Sequence, residues 1–126
     1  MAWRIEFEET RRVICLTFAG HVSNEDVRDS SIAVISMIGE RSTRNIMTDF
    51  TDVTQIDISM GGVFELPNGY KALGLGGRFR EAIVSPKQSS VREKVEFYET
   101  VCVNRGNEVR IFELRAPAMD WLASNE

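Results

Sequence analysis

Hydrophobic positions along this chain recur with two spacings, either every second residue or every three to four residues. Trp3, Ile5 and Phe7 alternate with charged residues, which is the pattern of a half-buried strand. Residues 12–19 follow a short polar turn and are apolar on both faces. We therefore expect an antiparallel hairpin whose second strand ends at Gly20.

The next apolar residues are spaced as in a helix. Ser23 precedes Glu25 and Asp26 and is a suitable N-cap, while Gly39 is a suitable C-cap. These signals predict a helix over residues 24–38.

A third strand is predicted over 45–50, and the segment Asp49–Ser59 is predicted to form the turn into the following helix. That helix is harder to define, because Gly61–Gly62 and Pro67–Gly69 interrupt its apolar pattern. A proline inside a helix costs about 3 kcal/mol, and a glycine costs about 1 kcal/mol. We therefore expect two short helical pieces or a bent segment over 60–77.

The last third of the chain predicts two more strands, each followed by a helix. The strands cover 79–84 and 108–114, a capping box at 90–93 begins one helix, and Pro117 fits the first turn of the other. The first of these helices carries an apolar stripe made of Val91, Val95, Tyr98 and Cys102.

The resulting order, β-β-α-β-α-β-α-β-α, predicts an α/β fold with a single mixed five-stranded sheet. Strands joined through helices are parallel and have right-handed crossovers, and the hairpin adds an antiparallel strand. A chain of 126 residues suits one domain, so we assign residues 1–126 to it. The exposed edge of such a sheet could pair with a second copy, so a homodimer is compatible with this fold.

Charge and cysteine usage narrow the classes of function. The formal net charge of -4 disfavours the nucleic-acid backbone, and the small basic clusters are not interleaved with aromatic residues. Cys15 and Cys102 lie in apolar runs and are expected to be buried free thiols. No segment has the length of a membrane span or the form of a signal peptide. We therefore expect a cytoplasmic protein that binds no nucleic acid.

Few residues suggest catalysis. His21 is the only histidine and lacks sequence partners for metal binding, so we expect a surface turn residue. Gly74–Gly77 lacks the Lys-Ser/Thr of a phosphate-binding loop and precedes a strand, so we expect an ordinary loop. Asp49, Asp52 and Asp57 could hold Mg²⁺ or act as acid and base, or they could form turns and caps. We predict no catalytic residue, no metal and no cofactor.

The order of elements, together with the segment Asp49–Ser59, resembles the SpoIIAA-like group of STAS-type domains. The resemblance extends over nearly the whole chain and includes the segments 79–84, 109–112 and 118–122. It implies a regulatory domain like the anti-sigma-factor antagonists, in which a partner kinase phosphorylates a serine at the start of the next helix. Ser59 occupies the matching position. The likeness of this group to the lipid-carrying CRAL-TRIO fold implies a pocket for an apolar ligand.

Ser59 also has a structural interpretation as the N-cap of the next helix, and the two roles are compatible. Five apolar side chains follow it, and they either pack as ordinary core or form a pocket or a partner-facing surface. These side chains are Met60, Phe64, Leu66, Tyr70 and Leu75.

The sequence supports two hypotheses of function. In the first, the chain is a non-enzymatic regulatory or protein-interaction domain that a kinase or another protein switches at the segment 49–60. In the second, it is a small carrier or sensor that binds an apolar or amphipathic ligand between the sheet and the segment 60–75.

Overall fold

The computed structural model describes residues 2–124, and the elements in this range follow the predicted order. They are β1 (Trp3–Glu8), β2 (Val13–Val22), α1 (Asn24–Arg41), β3 (Asn45–Ile56), α2 (Met60–Ala72), β4 (Arg80–Val84), α3 (Arg92–Asn104), β5 (Glu108–Phe112) and α4 (Arg115–Ser124).

The five strands form one sheet in the order β1-β2-β3-β4-β5, so each strand lies beside the next one in the chain. β1 is antiparallel to β2, and the other neighbours are parallel, which confirms the predicted mixed sheet. The helical connections from β2 to β3, from β3 to β4 and from β4 to β5 all lead to the next strand on the same side. Because such connections are right-handed, α1, α2 and α3 lie on one face of the sheet, which we call the three-helix face. α4 covers the opposite face, the α4 face.

Successive strand residues point to opposite faces, so each face has its own apolar core. The core of the three-helix face includes Ile14, Leu16, Phe18, Ile46 and Ile83 from the strands and Val34, Val63 and Val95 from the helices. The core of the α4 face contains Val13, Cys15, Met47, Ala82 and Val84 from the strands and Ala118, Met119 and Leu122 from α4.

The predicted start of α1 is confirmed, and its predicted end is wrong. Ser23 accepts a hydrogen bond from the Asp26 N–H, and the Asp26 side chain accepts from the Ser23 N–H, which completes a capping box. The helix continues past Gly39 because Ile38 is buried on the sheet and a glycine is tolerated inside a helix at about 1 kcal/mol. It ends at Ser42, whose backbone is left-handed with φ of 53°.

β2 and β3 are both longer than predicted. β2 continues through Gly20 to Val22, with Gly20 (φ of 70°) between two register shifts against β3. The extension of β2 pairs with β3 as far as Ile56. The predicted turn Asp49–Ser59 is therefore mostly strand, and only residues 57–59 connect β3 to α2.

The segment 60–72 forms one helix, so the prediction of two helical pieces is wrong. Pro67 is buried inside this helix. Contacts with α3 stabilise it despite the proline: the hydroxyl groups of Tyr70 and Tyr98 are 3.0 Å apart, and the Arg105 guanidinium lies 5.1 Å from the Phe64 ring centre. Tertiary packing outweighs intrinsic helix propensity here.

The start of α3 differs from the predicted capping box. Val91 is its N-cap and has no side-chain hydrogen bond, while the Ser90 hydroxyl instead donates to the Thr54 carbonyl at 3.1 Å. The predicted apolar stripe is confirmed, because Val91, Val95 and Cys102 are buried and Tyr98 is half-buried. The final helix with Pro117 near its start is also confirmed.

Candidate functional site

The three predicted turn aspartates do not come together. Asp49 is buried under α4, where it accepts hydrogen bonds from the Thr51 N–H at 2.8 Å and from Arg115 at 3.2 Å. Asp52 is exposed, and Asp57 lies beyond the end of β3. Within residues 2–124, no three His, Cys, Asp or Glu side chains are placed to hold a metal ion. The magnesium alternative therefore has no support in the geometry.

His21 lies in β2 rather than in a turn, and its side chain is exposed. Its Nε2 is 2.5 Å from Oδ2 of Asp57, and the Gln55 amide donates to Oδ1 at 2.9 Å. The hydrogen bond from His21, followed by the one from Gln55, lowers the pKa of Asp57. The pair ties the end of β2 to the short connection before α2.

Ser59 is exposed and is the N-cap of α2, where its hydroxyl oxygen accepts from the Gly62 N–H at 3.0 Å. A Cβ atom at position 62 would lie 2.8 Å from the buried side chain of Ile58, so glycine allows the first turn to pack closely over it. The first turn contains no acidic residue, in contrast to α1 and α3. The positive end of the α2 dipole therefore has no acidic side chain in its own first turn.

The five apolar side chains after Ser59 separate into two groups. Met60 and Phe64 are 39% and 47% exposed and face outwards from α2. Leu66 and Tyr70 line a cavity inside the three-helix face, and Leu75 is buried beside a second cavity. The five apolar side chains therefore contribute partly to the exposed surface of α2 and partly to the internal cavities.

The first cavity, of about 80 Å³, lies between the sheet and the first turns of the three helices. Val27 of α1, Val63 of α2 and Val91, the N-cap of α3, line it on the helix side. Leu16 and Ile83 line it on the side of the sheet. The crossovers advance in one direction, so the sheet has no point where the strand order reverses and opens a crevice. The enclosed space lies instead between the sheet and its helices.

A chain of hydrogen bonds separates this cavity from a second one of about 50 Å³ towards the far end of α1. Thr48 donates to one carboxyl oxygen of Glu81 at 2.5 Å, and the Tyr98 hydroxyl donates to the other at 2.8 Å. Tyr70 in turn donates to the Tyr98 oxygen at 3.0 Å, since the Tyr98 proton is already used. All four residues line both cavities.

Burial shifts the pKa values of the ionisable side chains in this hydrogen-bond network. It raises the pKa of Glu81, and the hydrogen bonds from Thr48 and Tyr98 act in the opposite direction. Burial, followed by the charge of Glu81, raises the pKa of both Tyr70 and Tyr98. Burial in this wall therefore disfavours the charged form of each of these groups, while the two hydroxyl donors favour the carboxylate form of Glu81.

Glu81 is a site residue that the motifs in the sequence do not indicate, although a signal for it exists. Positions 79, 81 and 83 share one face, so a carboxyl group lies between Phe79 and Ile83 on an otherwise apolar inward face. The helical spacing predicts Tyr98 on the buried stripe of α3, but it does not show that the Tyr98 hydroxyl group contacts Glu81.

The other candidates are structural. Cys15 and Cys102 are buried free thiols, as predicted, and burial raises the pKa of Cys102 to about 12. Gly74 and Gly77 lie in the loop between α2 and β4 with positive φ angles, which agrees with the predicted loop. Across residues 2–124, no helix has the length and apolar character needed to cross a membrane.

No protein-family model and no curated protein sequence matches this chain. Its structure is similar to that of the anti-sigma factor antagonist SpoIIAA in its unphosphorylated form, with a TM-score of 0.57 and 17% identity over 96% of this chain and 97% of that one. An uncharacterised Shewanella loihica protein with a SpoIIAA-like fold gives a TM-score of 0.60 and 20% identity over 96% and 92% of the two chains. The chain has a SpoIIAA-like fold.

Bacillus SpoIIAA in its phosphorylated form is also similar, with a TM-score of 0.52 and 15% identity over 96% of this chain and 99% of that one. The predicted resemblance to the SpoIIAA-like group is thereby confirmed for the fold. Within this SpoIIAA-like fold, the start of α2 is exposed and the three-helix face encloses two cavities.

Proposed function

We propose that this chain is a non-enzymatic regulatory domain that binds a protein partner through the start of α2. The observation that carries the proposal is the exposed N-cap Ser59 beside the exposed apolar side chains of Met60 and Phe64. Apolar groups that remain exposed next to each other on a folded domain commonly mark a contact surface. The use of the same fold by an anti-sigma factor antagonist supports this assignment.

The arrangement around Ser59 also supports a phosphate switch. A phosphoryl group adds a charge of about -1.5 to -2, and the N-terminal end of a helix stabilises negative charge through its free N–H groups. The first turn of α2 offers such groups and contains no acidic side chain. A regulatory kinase could therefore place a charge beside Met60 and Phe64, which would change the character of the proposed contact surface.

The ionisable side chains support a role without catalysis. His21 makes its side-chain contact with Asp57 at the surface, and burial raises the pKa of both cysteines. A nucleophilic thiol would need a lowered pKa and access to solvent.

The contact surface can be tested with matched charge substitutions. Met60→Asp places a carboxylate in the proposed surface, while Ile32→Asp places one at a similarly exposed position on α1. In pull-downs with the purified chain, we expect Met60→Asp to lose a partner that the wild type and Ile32→Asp both retain. Equal retention by all three proteins would contradict the proposal.

The switch needs a control for the loss of a helix cap. Ser59→Ala and Ser23→Ala each remove one N-cap, which costs about 1 kcal/mol, but only the first changes the α2 surface. We expect Ser59→Asp to change partner binding, with Ser59→Ala and Ser23→Ala close to the wild type. Mass spectrometry of the protein from its native cells would show phosphate on Ser59. Unmodified Ser59, together with unchanged binding of Ser59→Asp, would dismiss the switch.

A further inference from the structure

Glu81 is a buried carboxyl group without a cationic partner among residues 2–124. It is 7% exposed, and its oxygens accept hydrogen bonds from the hydroxyl groups of Thr48 and Tyr98. A carboxylate in apolar surroundings is stabilised by a cation or else gives up its charge by binding a proton. Glu81 therefore faces the cavity as a strong acceptor that has no counter-charge.

The rest of the cavity wall determines which ligands are compatible with it. The wall is mainly apolar, and its one cationic side chain among the described residues is Lys94. The amine of Lys94 donates to the Ile56 carbonyl at 3.1 Å. An anion that entered deeply would meet Glu81, and a sugar or nucleotide would leave many polar groups unpaired against apolar walls.

We propose that this cavity is a binding site for a small alkyl amine, with the hydrocarbon against Val63 and Ile83 and the ammonium group at Glu81. The ammonium group supplies both the missing charge and several hydrogen-bond donors. An apolar cavity of about 150 Å³ accepts a benzene ring, so a space of about 80 Å³ suits a smaller body of about four carbon atoms. The site lies inside the three-helix face and does not depend on the proposed role of Ser59.

The test uses the whole chain with ¹³C-labelled methyl groups and three probes of equal length: n-butylamine, 1-butanol and butyrate. Methyl signals of Val63 and Ile83 report on the cavity, and those of Val13 on the α4 face serve as the internal control. We expect n-butylamine to shift the cavity signals with an affinity about tenfold above that of 1-butanol, and butyrate to be the weakest probe.

Glu81→Gln keeps the size of the side chain and removes its charge. We expect this variant to lose about tenfold in affinity for n-butylamine and to keep its affinity for 1-butanol within about twofold. In the wild type, acidification should weaken the binding of n-butylamine and leave 1-butanol unchanged, because protonation of Glu81 removes the counter-charge. The pH dependence is measured on the wild type, so it tests the role of Glu81 even if Glu81→Gln does not fold. The raised pKa values of Tyr70, Tyr98 and Cys102 keep these groups neutral during acidification.

Three outcomes would overturn the proposal. Equal affinities for n-butylamine and 1-butanol in the wild type would remove the role of Glu81. Tighter binding of butyrate would assign the site to anions near Lys94 and the helix N-termini. Shifts of the same size at Val13, which is buried on the opposite face, would show that the response is not specific to this cavity.

Discussion

The two faces of the sheet are packed in different ways. On the α4 face, one helix lies on small and medium side chains, and Met47, Ala82 and Ala118 are completely buried. On the three-helix face, the helices surround two cavities and a chain of hydrogen bonds that ends at Glu81. A single helix can settle closely on a sheet of small residues. Three helices must also fit one another, and here the Tyr98–Tyr70 bond joins two of them.

The difference in packing between the two faces predicts different roles for them. Close packing on the α4 face stabilises the fold, because dispersion contacts grow with packing density. The three-helix face is packed less closely and contains a cavity with polar side chains on one wall. Ligand sites are usually concave and mainly apolar with a few polar groups, and the proposed amine site has this composition.

Truncation of a leucine on each face gives the largest expected difference. Leu122→Ala on the α4 face should lower the free energy of unfolding by about 2–5 kcal/mol, because it removes a fully buried side chain from a dense core. Leu66→Ala should cost about 1 kcal/mol, since Leu66 is half-buried and already borders a cavity. Urea denaturation measures both, with Ile32→Ala as the surface control. Equal losses on the two faces would show that both cores are packed equally closely.

The ionisation of Glu81 predicts a pH dependence that is specific to the three-helix face. Burial raises its pKa in the folded state, so folding favours the protonated form. The corresponding stability is present below the ordinary pKa of glutamate and is lost as the pH rises through the folded value. Glu81→Gln should therefore become more stable relative to the wild type as the pH rises. Denaturation at several pH values measures this trend, and Leu122→Ala should show a constant difference. A flat profile for Glu81→Gln would refute the assignment.

Removal of a single hydroxyl group tests the hydrogen-bond chain. Tyr98→Phe removes the donor to Glu81 and the acceptor for Tyr70, and should cost about 1–2 kcal/mol. Tyr70→Phe removes one bond at the end of the chain and should cost about 0.5–1 kcal/mol. Both values come from thermal or urea denaturation. A larger loss for Tyr70→Phe than for Tyr98→Phe would contradict the order of donation from Tyr70 to Tyr98 to Glu81.

Loss of the α2 cap gives the smallest effect. Ser59→Ala should cost about 0.5–1 kcal/mol and should speed amide hydrogen exchange in the first turn of α2. Ser23→Ala should act in the same way on α1. Neither change should alter exchange in α4, because α4 lies on the other face. Faster exchange in α4 would show that the two faces open together.

Element order, the mixed sheet and the apolar stripe of α3 were predictable because they depend on local periodicity. The extent of β3 was not, since its polar residues after Phe50 are held in the sheet by pairing with the extension of β2. The continuity of α2 through Pro67 likewise depends on contacts with α3, which the local sequence does not show.

The sequence identifies the apolar segment after Ser59 but does not divide its residues between interior and surface. In the structure, Leu66, Tyr70 and Leu75 line internal cavities, while Met60 and Phe64 face outwards. The pairing of Glu81 with Tyr98 joins residues 17 positions apart on different elements. The spacing of apolar residues predicts that each of them lies on an inward face. Only the packing of α3 over β4 brings the Tyr98 hydroxyl group to the Glu81 carboxyl group.

The two cysteines give each face its own chemical reporter. Cys15 lies in the core of the α4 face, and Cys102 lies in the core of the three-helix face. Both thiols are buried, and Cys102 completely so, so the labelling rate of each is expected to rise when its face opens. A ligand that fills the cavity should therefore slow the modification of Cys102 more than that of Cys15. The native chain can report this difference without any added probe.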